Sequence, residues 1–230
     1  MLKSALVIVY LRSYNLRAIV ENLFISGIER FYFHIDFPKE PTIDNLVEHE
    51  SVLKELKSIQ KDLSISFNVK IQNKNLGCAV SVISAASWFF SNEKMGIVLE
   101  DDCIPKMDLI KFVNANLNIL EQEDFWFICG TQHLEFKSIE EKSLSGYSSR
   151  YPNLWGWVCT EKKWAQILMA IRNFDRESKY FSFNDYFTAY WYFGALRAFD
   201  CFVDVWDTIV TYEMQISNKK AFIPYKNYIL

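Results

Sequence analysis

The chain has 230 residues, half of them hydrophobic and 17% aromatic, a composition that supports a large packed core and speaks against disorder. Its formal net charge of -3, with acids and bases interspersed, leaves no basic footprint for nucleic acid. The five cysteines (Cys78, Cys103, Cys129, Cys159 and Cys201) are widely spaced and form no C-x-x-C pair, which argues against a disulfide framework or zinc site and fits a reducing cytoplasm.

The opening "MLKSALVIVYLRS" has one lysine, an apolar run and no small-residue cleavage site. It reads as a first core strand over residues 4–11 rather than as a leader. Leu16, Ile19, Val20, Leu23 and Phe24 then recur at helical spacing, with Gly27 as the stop. "RFYFHID", residues 30–36, reads as a second strand that ends in Asp36 before Pro38. Thr42 or Asp44 caps a helix carrying Leu46, Leu53, Leu56 and Ile59 on one face, and residues 63–71 alternate like a third strand. After "NKNLG" the pattern predicts a helix with Ala79, Ile83, Ala86 and Phe90 on one side and Ser81, Ser84, Ser87 and Ser91 on another. Residues 95–99 form a fourth strand; Leu109, Val113, Leu117 and Leu120 mark a helix, and residues 125–129 a fifth strand. The longest uncharged run, residues 75–92, falls short of the roughly 20 apolar residues that a spanning helix needs, so a soluble protein is expected.

Strand and helix alternating at crossover spacing predict an α/β fold with a mostly parallel sheet covered on both faces. Ligands bind such sheets beyond the carboxyl ends of the strands. Residues 131–160 hold a polar loop followed by "YPNLWGW", and residues 180–206 are crowded with aromatics, so an irregular second half is expected. No linker, repeat or low-complexity tract divides the chain, which points to a single domain over residues 1–230.

The stretch "GIVLEDDCIP", residues 96–105, runs an apolar strand directly into Glu100, Asp101 and Asp102. Three adjacent carboxylates repel one another, so a positive partner is missing from the sequence. Mg²⁺ or Mn²⁺ prefers oxygen ligands and takes only one or two from protein where phosphate and water supply the rest. The bland alternative is a solvated acidic turn; position at the end of a central strand favours the metal. Other chemistries find no motif: there is no phosphate loop, G-x-G-x-x-G turn, nucleophile elbow or H-E-x-x-H. His34, His49 and His133 lie far apart and read as structural or superficial.

"NLGCAVSVISAASWFFSNEKMGIVLEDDCIP", "YPNLWGWVCTEKKW" and "VDVWDTIVTYEMQISNKKAFIPYKN" together resemble nucleotide-sugar glycosyltransferases of the GT-A fold. The resemblance is to the group around the N-acetylglucosaminyltransferase that initiates complex N-glycans and to its bacterial polysaccharide-cluster relatives. It implies a Rossmann-like GT-A sheet, with residues 1–130 as the nucleotide-sugar half and 131–230 as the acceptor-side half. It implies that Asp102 contacts Mn²⁺ (or Mg²⁺), while Glu100 and Asp101 face the ribose or sugar of the donor. Asp36 then reads the base, Arg12 lies near the nucleotide, and Asn75 and Gly77 belong to a loop that approaches the donor. Trp206-Asp207 matches a late "WD" whose aspartate, Asp207, is the catalytic base, with Asp204 and Asp185 as rivals. Trp155, Trp157 and Trp206 fall on the acceptor side.

The chemistry asks for that division of labour. A nucleoside diphosphate leaves readily only when its developing charge is neutralised, which a metal does. The sugar passes through an oxocarbenium-like state, and the acceptor hydroxyl must lose its proton as it attacks. The expectation is an inverting, metal-dependent transferase of hexosyl or N-acetylhexosaminyl type. It would move a sugar from a nucleoside-diphosphate donor, UDP-sugar favoured, to a glycan or lipid-linked acceptor in surface polysaccharide (lipopolysaccharide) synthesis. It would work in the cytoplasm, with peripheral contact at the inner face of the membrane left open by the aromatic stretch.

Each residue also has a plainer reading. Asp207 caps a helix starting near Thr208, Asp36 makes an Asx turn, Arg12 is a surface cation, and "WGW" packs a core. Lys219 and Lys220 meet acceptor or phosphate, or simply solvent. The chain stops at "IPYKNYIL", where relatives of this kind continue, and residues 131–151 look idiosyncratic; both bear on acceptor choice. The rival readings are a non-catalytic glycan- or nucleotide-sugar-binding protein that keeps the fold and, ranked lower, a nucleotidyltransferase, which needs a Gly-rich loop where "YLRSYNLR" has none.

Overall fold

A computed structural model describes residues 1–132, 144–173 and 206–230. The predicted alternation is present in the first half: β1 (Ser4–Val9), α1 (Leu16–Ile25), β2 (Arg30–Ile35), α2 (Ile43–Leu63), β3 (Phe67–Ile71), α3 (Cys78–Phe90), β4 (Met95–Glu100), α4 (Leu109–Ala115) and β5 (Phe125–Cys129). Every residue of β1 and β5 is buried, as expected of strands covered on both faces. Of the two proposed caps, Thr42 serves: it accepts the Asn45 N–H at 3.3 Å.

Several details differ from the sequence reading: β1 stops at Val9 rather than residue 11, α2 runs on through Leu63 so that β3 starts only at Phe67, and Phe24 in α1 is exposed. The buried face of α2 carries His49, Val52, Leu56 and Ile59, whereas Leu46 is exposed. In α3 the buried face is Ser81, Val82, Ala85, Ala86, Phe89 and Phe90, so the serine stripe does not face solvent as a unit. Ser81 meets the buried His34, and Ser87 accepts the Trp164 indole N–H at 3.2 Å. The helix expected from Leu109 to Leu120 breaks at Asn116 into a 3-10 turn, Leu117–Glu121.

The described part of the second half is more regular than its composition suggests. It adds β6 (Gly146–Ser149), β7 (Trp157–Thr160), α5 (Glu161–Arg172), α6 (Asp207–Ile216) and β8 (Lys220–Pro224). The eight strands form one sheet in the order β3-β2-β1-β4-β7-β5-β8-β6. β6 and β7 run against the other strands, β7 lying between β4 and β5. The result is a mostly parallel, Rossmann-like α/β sheet with helices on both faces. Residues from α1, α2 and α4 pack one face, and those from α3, α5 and α6 the other. Among the described residues no helix is long and apolar enough to cross a membrane.

β7 runs against β4 with Val98 opposite Trp157, so the segment entering β7 emerges at the carboxyl end of β4. Gly156 makes that entry with φ +71°, where a Cβ would lie 2.8 Å from Ile229 Cδ1 and 3.1 Å from Leu99 Cδ2. Left-handed strain and overlap together make Gly156→Ala destabilising by about 2 kcal/mol. A urea-unfolding midpoint equal to the parent's would contradict that packing.

Candidate functional site

The carboxyl edge of the sheet gathers the sequence candidates. β1 leads into Tyr10–Asn15, β2 into Asp36, and β4 ends at Glu100. Because α3 and α6 run back along the sheet, their first turns, at Gly77 and Asp207, open at the same edge. Gly77 has φ +77° and ψ 164°, a backbone state closed to side chains, and it turns the 75–77 loop into α3.

Asp101 is turned inward. Its side chain is 5% exposed and accepts the Tyr10 N–H at 2.9 Å, the Arg12 N–H at 3.4 Å and Arg12 Nη1 at 2.8 Å. Its carbonyl accepts Asn15 Nδ2 at 3.0 Å. Burial raises its pKa, against the opposing pull of the Tyr10 N–H and the Arg12 guanidinium. Asp101 thus ties the β1–α1 turn to the end of β4. Asp102 is the outer member: its side chain is 53% exposed and Arg12 Nη1 also bonds its Oδ2.

Glu100 has no side-chain hydrogen bond to any described residue. Burial, then the charges of Asp102 and Asp101, push its carboxyl up to about 7, with Arg12 opposing and Asp207 adding to the rise. The last contribution places Asp207 within electrostatic reach of the acid turn, although more than a hundred residues separate them. Asp207 is exposed; it opens α6 and accepts the neighbouring Thr208 N–H at 2.9 Å. Asp185, Asp204, His133 and the aromatic stretch 180–205 lie outside the described residues.

The base-side candidates form a second knot. Asp36 is buried and accepts N–H groups from Phe37 at 2.9 Å and Leu76 at 3.0 Å and the Asn75 amide at 3.2 Å. Asn75 Nδ2 also donates to the Phe37 carbonyl at 2.7 Å. Asp36 and Asn75 therefore fasten the end of β2 to the loop before Gly77. Beneath them His34 is fully buried between Gln72 and Ser81, and burial lowers its pKa to about 4, so the ring is neutral.

The tryptophans divide. Trp157 and Trp206 are buried, with centroids 5.7 Å apart, and both pack on Trp164. Their rings are core and not a surface for a sugar. Trp155 is 63% exposed. Lys219 and Lys220 bond the Glu123 carbonyl and Asp124, where β8 begins, so they sit at the opposite end of the sheet from the acids.

Sequence reasoning missed the supports. Tyr10, Asn15 and Asn22 hold the acid turn through backbone groups, Asn22 Nδ2 donating to the Pro105 carbonyl at 2.8 Å. The C-terminal tail also reaches it: Lys106 N–H bonds the Tyr228 carbonyl at 2.7 Å and Leu230 N–H the Ile104 carbonyl at 2.8 Å. Only the clustering of Asn residues after β1 offered a signal for any of these.

Among the described residues no three His, Cys, Asp or Glu side chains converge as a ready-made metal cage. The half-exposed Asp102 carboxylate beside Glu100, which makes no side-chain ion pair with any described residue, fits a hard divalent cation that takes one or two oxygens from protein. It does not fit an all-protein zinc site.

Glu100 makes stability depend on pH in chelator-treated protein. Its folded pKa, about 7, lies above the ordinary 4.5, so the folded state keeps a proton that the unfolded chain has lost. The benefit is complete below pH 4.5 and disappears as pH rises through 7. Glu100→Gln removes it and at pH 8 is more stable than the parent by about 1–2 kcal/mol, allowing for partial solvent access. Glu213, raised to about 7 by burial, remains as a common background. Unfolding midpoints at pH 5 and pH 8 test this; identical slopes for parent and variant refute it.

No family model matches the chain, and no curated protein matches it in sequence. Solved structures do resemble it. The structure of S. aureus TarS 1-349 aligns with a TM-score of 0.54 at 10% identity, over 100% of this chain and 60% of that one. A UDP-glucose pyrophosphorylase complexed with UDP-glucose aligns at TM-score 0.49 and 11% identity over 97% and 90% of the two chains. The inositol-1-phosphate CTP transferase from T. maritima aligns at 0.44 and 13% over 100% and 87%. At such identities the likeness is one of fold; of these three alignments, that with TarS has a TM-score above 0.5. The chain spans 60% of the length of that TarS structure.

Proposed function

We propose that this chain is a metal-dependent, inverting glycosyltransferase that moves a sugar from a nucleoside-diphosphate donor to a hydroxyl of a glycan or lipid-linked acceptor. The observation that carries the reading is that the acid turn after β4 and Asp207 at the start of α6 lie at the same edge of the sheet. Asp102, with Glu100 beside it, would hold Mn²⁺ or Mg²⁺. When bound, that ion supplies neutralisation of the diphosphate leaving group. Asp36, Asn75 and Gly77 shape the side of the site where the nucleoside sits, and Asp101 keeps the β1–α1 turn, with Arg12 on it, against the donor. Asp207 accepts the proton of the attacking hydroxyl from the face opposite the leaving group, which gives inversion. Trp155 offers its ring to the acceptor sugar. The role in surface polysaccharide synthesis and the UDP-sugar preference belong to this same proposal.

The test is a transfer and hydrolysis assay over UDP-, GDP- and CMP-sugars. One donor is expected to turn over with Mn²⁺, to stop on chelation and to recover when the ion is restored. Metal-dependent binding of a donor without turnover on any acceptor would favour a nucleotide-sugar-binding protein instead. Neither binding nor turnover would defeat both.

A further inference from the structure

We propose that Arg12 is a built-in counter-ion for the acid turn, holding Asp102 until a divalent cation and a diphosphate arrive together, so that the two ligands are taken up as a unit. This rests on the nucleotide-sugar reading of the site.

The geometry is asymmetric. One nitrogen, Nη1, bonds both Asp101 Oδ1, at 2.8 Å, and Asp102 Oδ2. Asp101 is the anchor, buried and held by the Tyr10 and Arg12 backbone N–H groups. Asp102 is the exposed partner, and the Arg12 side chain is itself 43% exposed. Nε and Nη2 donate to no described residue, which leaves a free edge of the guanidinium. That edge matches the paired oxygens of a phosphate.

Two cations cannot share one carboxylate oxygen without repulsion. Arg12 sits on Asp102 Oδ2, and among the described residues Oδ1 receives only the Cys103 thiol, at 3.6 Å. A divalent ion alone therefore either displaces Arg12, leaving the guanidinium half unpaired, or binds Oδ1 against the neighbouring positive charge. In both cases it binds weakly. With a diphosphate present, Arg12 releases Asp102 and turns its free edge to the phosphate oxygens, while Asp101 keeps it in place. Asp102 is then open to the ion. Ion and nucleotide thereby favour each other's binding through one side chain.

The experiment measures free Mn²⁺ by electron paramagnetic resonance, with and without UDP, for the parent, Arg12→Gln, Arg12→Lys and Asp102→Asn, each checked for folding by its melting curve. Without UDP, Arg12→Gln is expected to bind Mn²⁺ roughly fivefold more tightly than the parent, the size of a released surface ion pair. With Mn²⁺ present it binds UDP about tenfold more weakly, having lost a charge-assisted contact. Arg12→Lys keeps the positive charge and restores weak binding of the lone ion. Equal or weaker Mn²⁺ binding by Arg12→Gln, alongside UDP-dependent Mn²⁺ binding that Asp102→Asn abolishes, overturns the Arg12 proposal and leaves the site reading intact. If the parent binds no Mn²⁺ even with UDP, the site reading falls and the Arg12 proposal with it.

Discussion

Asp102→Asn is expected to lose metal-dependent donor binding and to lower transfer about a thousandfold, since neutralising a leaving diphosphate is worth several kcal/mol. The fold should not suffer. Asp102 is the exposed member of the acid turn, and its ion pair with Arg12 is half in water. Such pairs contribute about 1 kcal/mol or less. Asp101, which carries the bonds to Tyr10 and Arg12, is untouched by the change. Isothermal titration of UDP with and without Mn²⁺ reads the result directly. A variant that binds the nucleotide as well as the parent, with the same dependence on the ion, would remove the metal from the account altogether.

Asp207→Asn should give the opposite signature: donor binding unchanged and transfer lowered about a thousandfold, within the range that a positioned general base supplies. The substitution is informative because of the bond Asp207 makes. Its carboxylate accepts the Thr208 N–H at the start of α6, and an asparagine carbonyl accepts the same N–H. Aspartate and asparagine are nearly equal at helix starts. A role confined to the helix end therefore predicts no change in transfer. Only proton removal distinguishes the two residues, because the amide has no basic oxygen pair to take the proton. Retention of full transfer by Asp207→Asn would move the base elsewhere, with Asp185 and Asp204 next in line.

These two residues also mark what the linear chain reveals. Apolar runs at 4–9, 30–35, 95–100 and 125–129 are continuous because both faces of each strand are covered, so their burial is written in hydropathy alone. Acids placed at the end of such a run must lie at the carboxyl edge of the sheet, which is why Asp36 and Glu100-Asp101-Asp102 could be placed at one edge before any fold was known. The cap could be narrowed to Thr42 or Asp44 because capping is a local bond, and Thr42 is the one that makes it.

Tertiary structure decided the rest. Whether an acid at the edge faces water or the interior depends on partners far along the chain. Asp101 and Asp102 are neighbours in sequence, yet the backbone N–H groups of Tyr10 and Arg12 draw one inward and leave the other exposed. The insertion of β7 between β4 and β5 has no local signature, because only pairing with Val98 and Cys129 makes Trp157 a strand residue rather than a loop aromatic. The same packing took Trp157 and Trp206 into the core and left Trp155 at the surface. Hydropathy is a property of each residue and can be read singly. Orientation, pairing and the approach of Asp207 to Glu100 are properties of pairs, fixed only once the chain has folded.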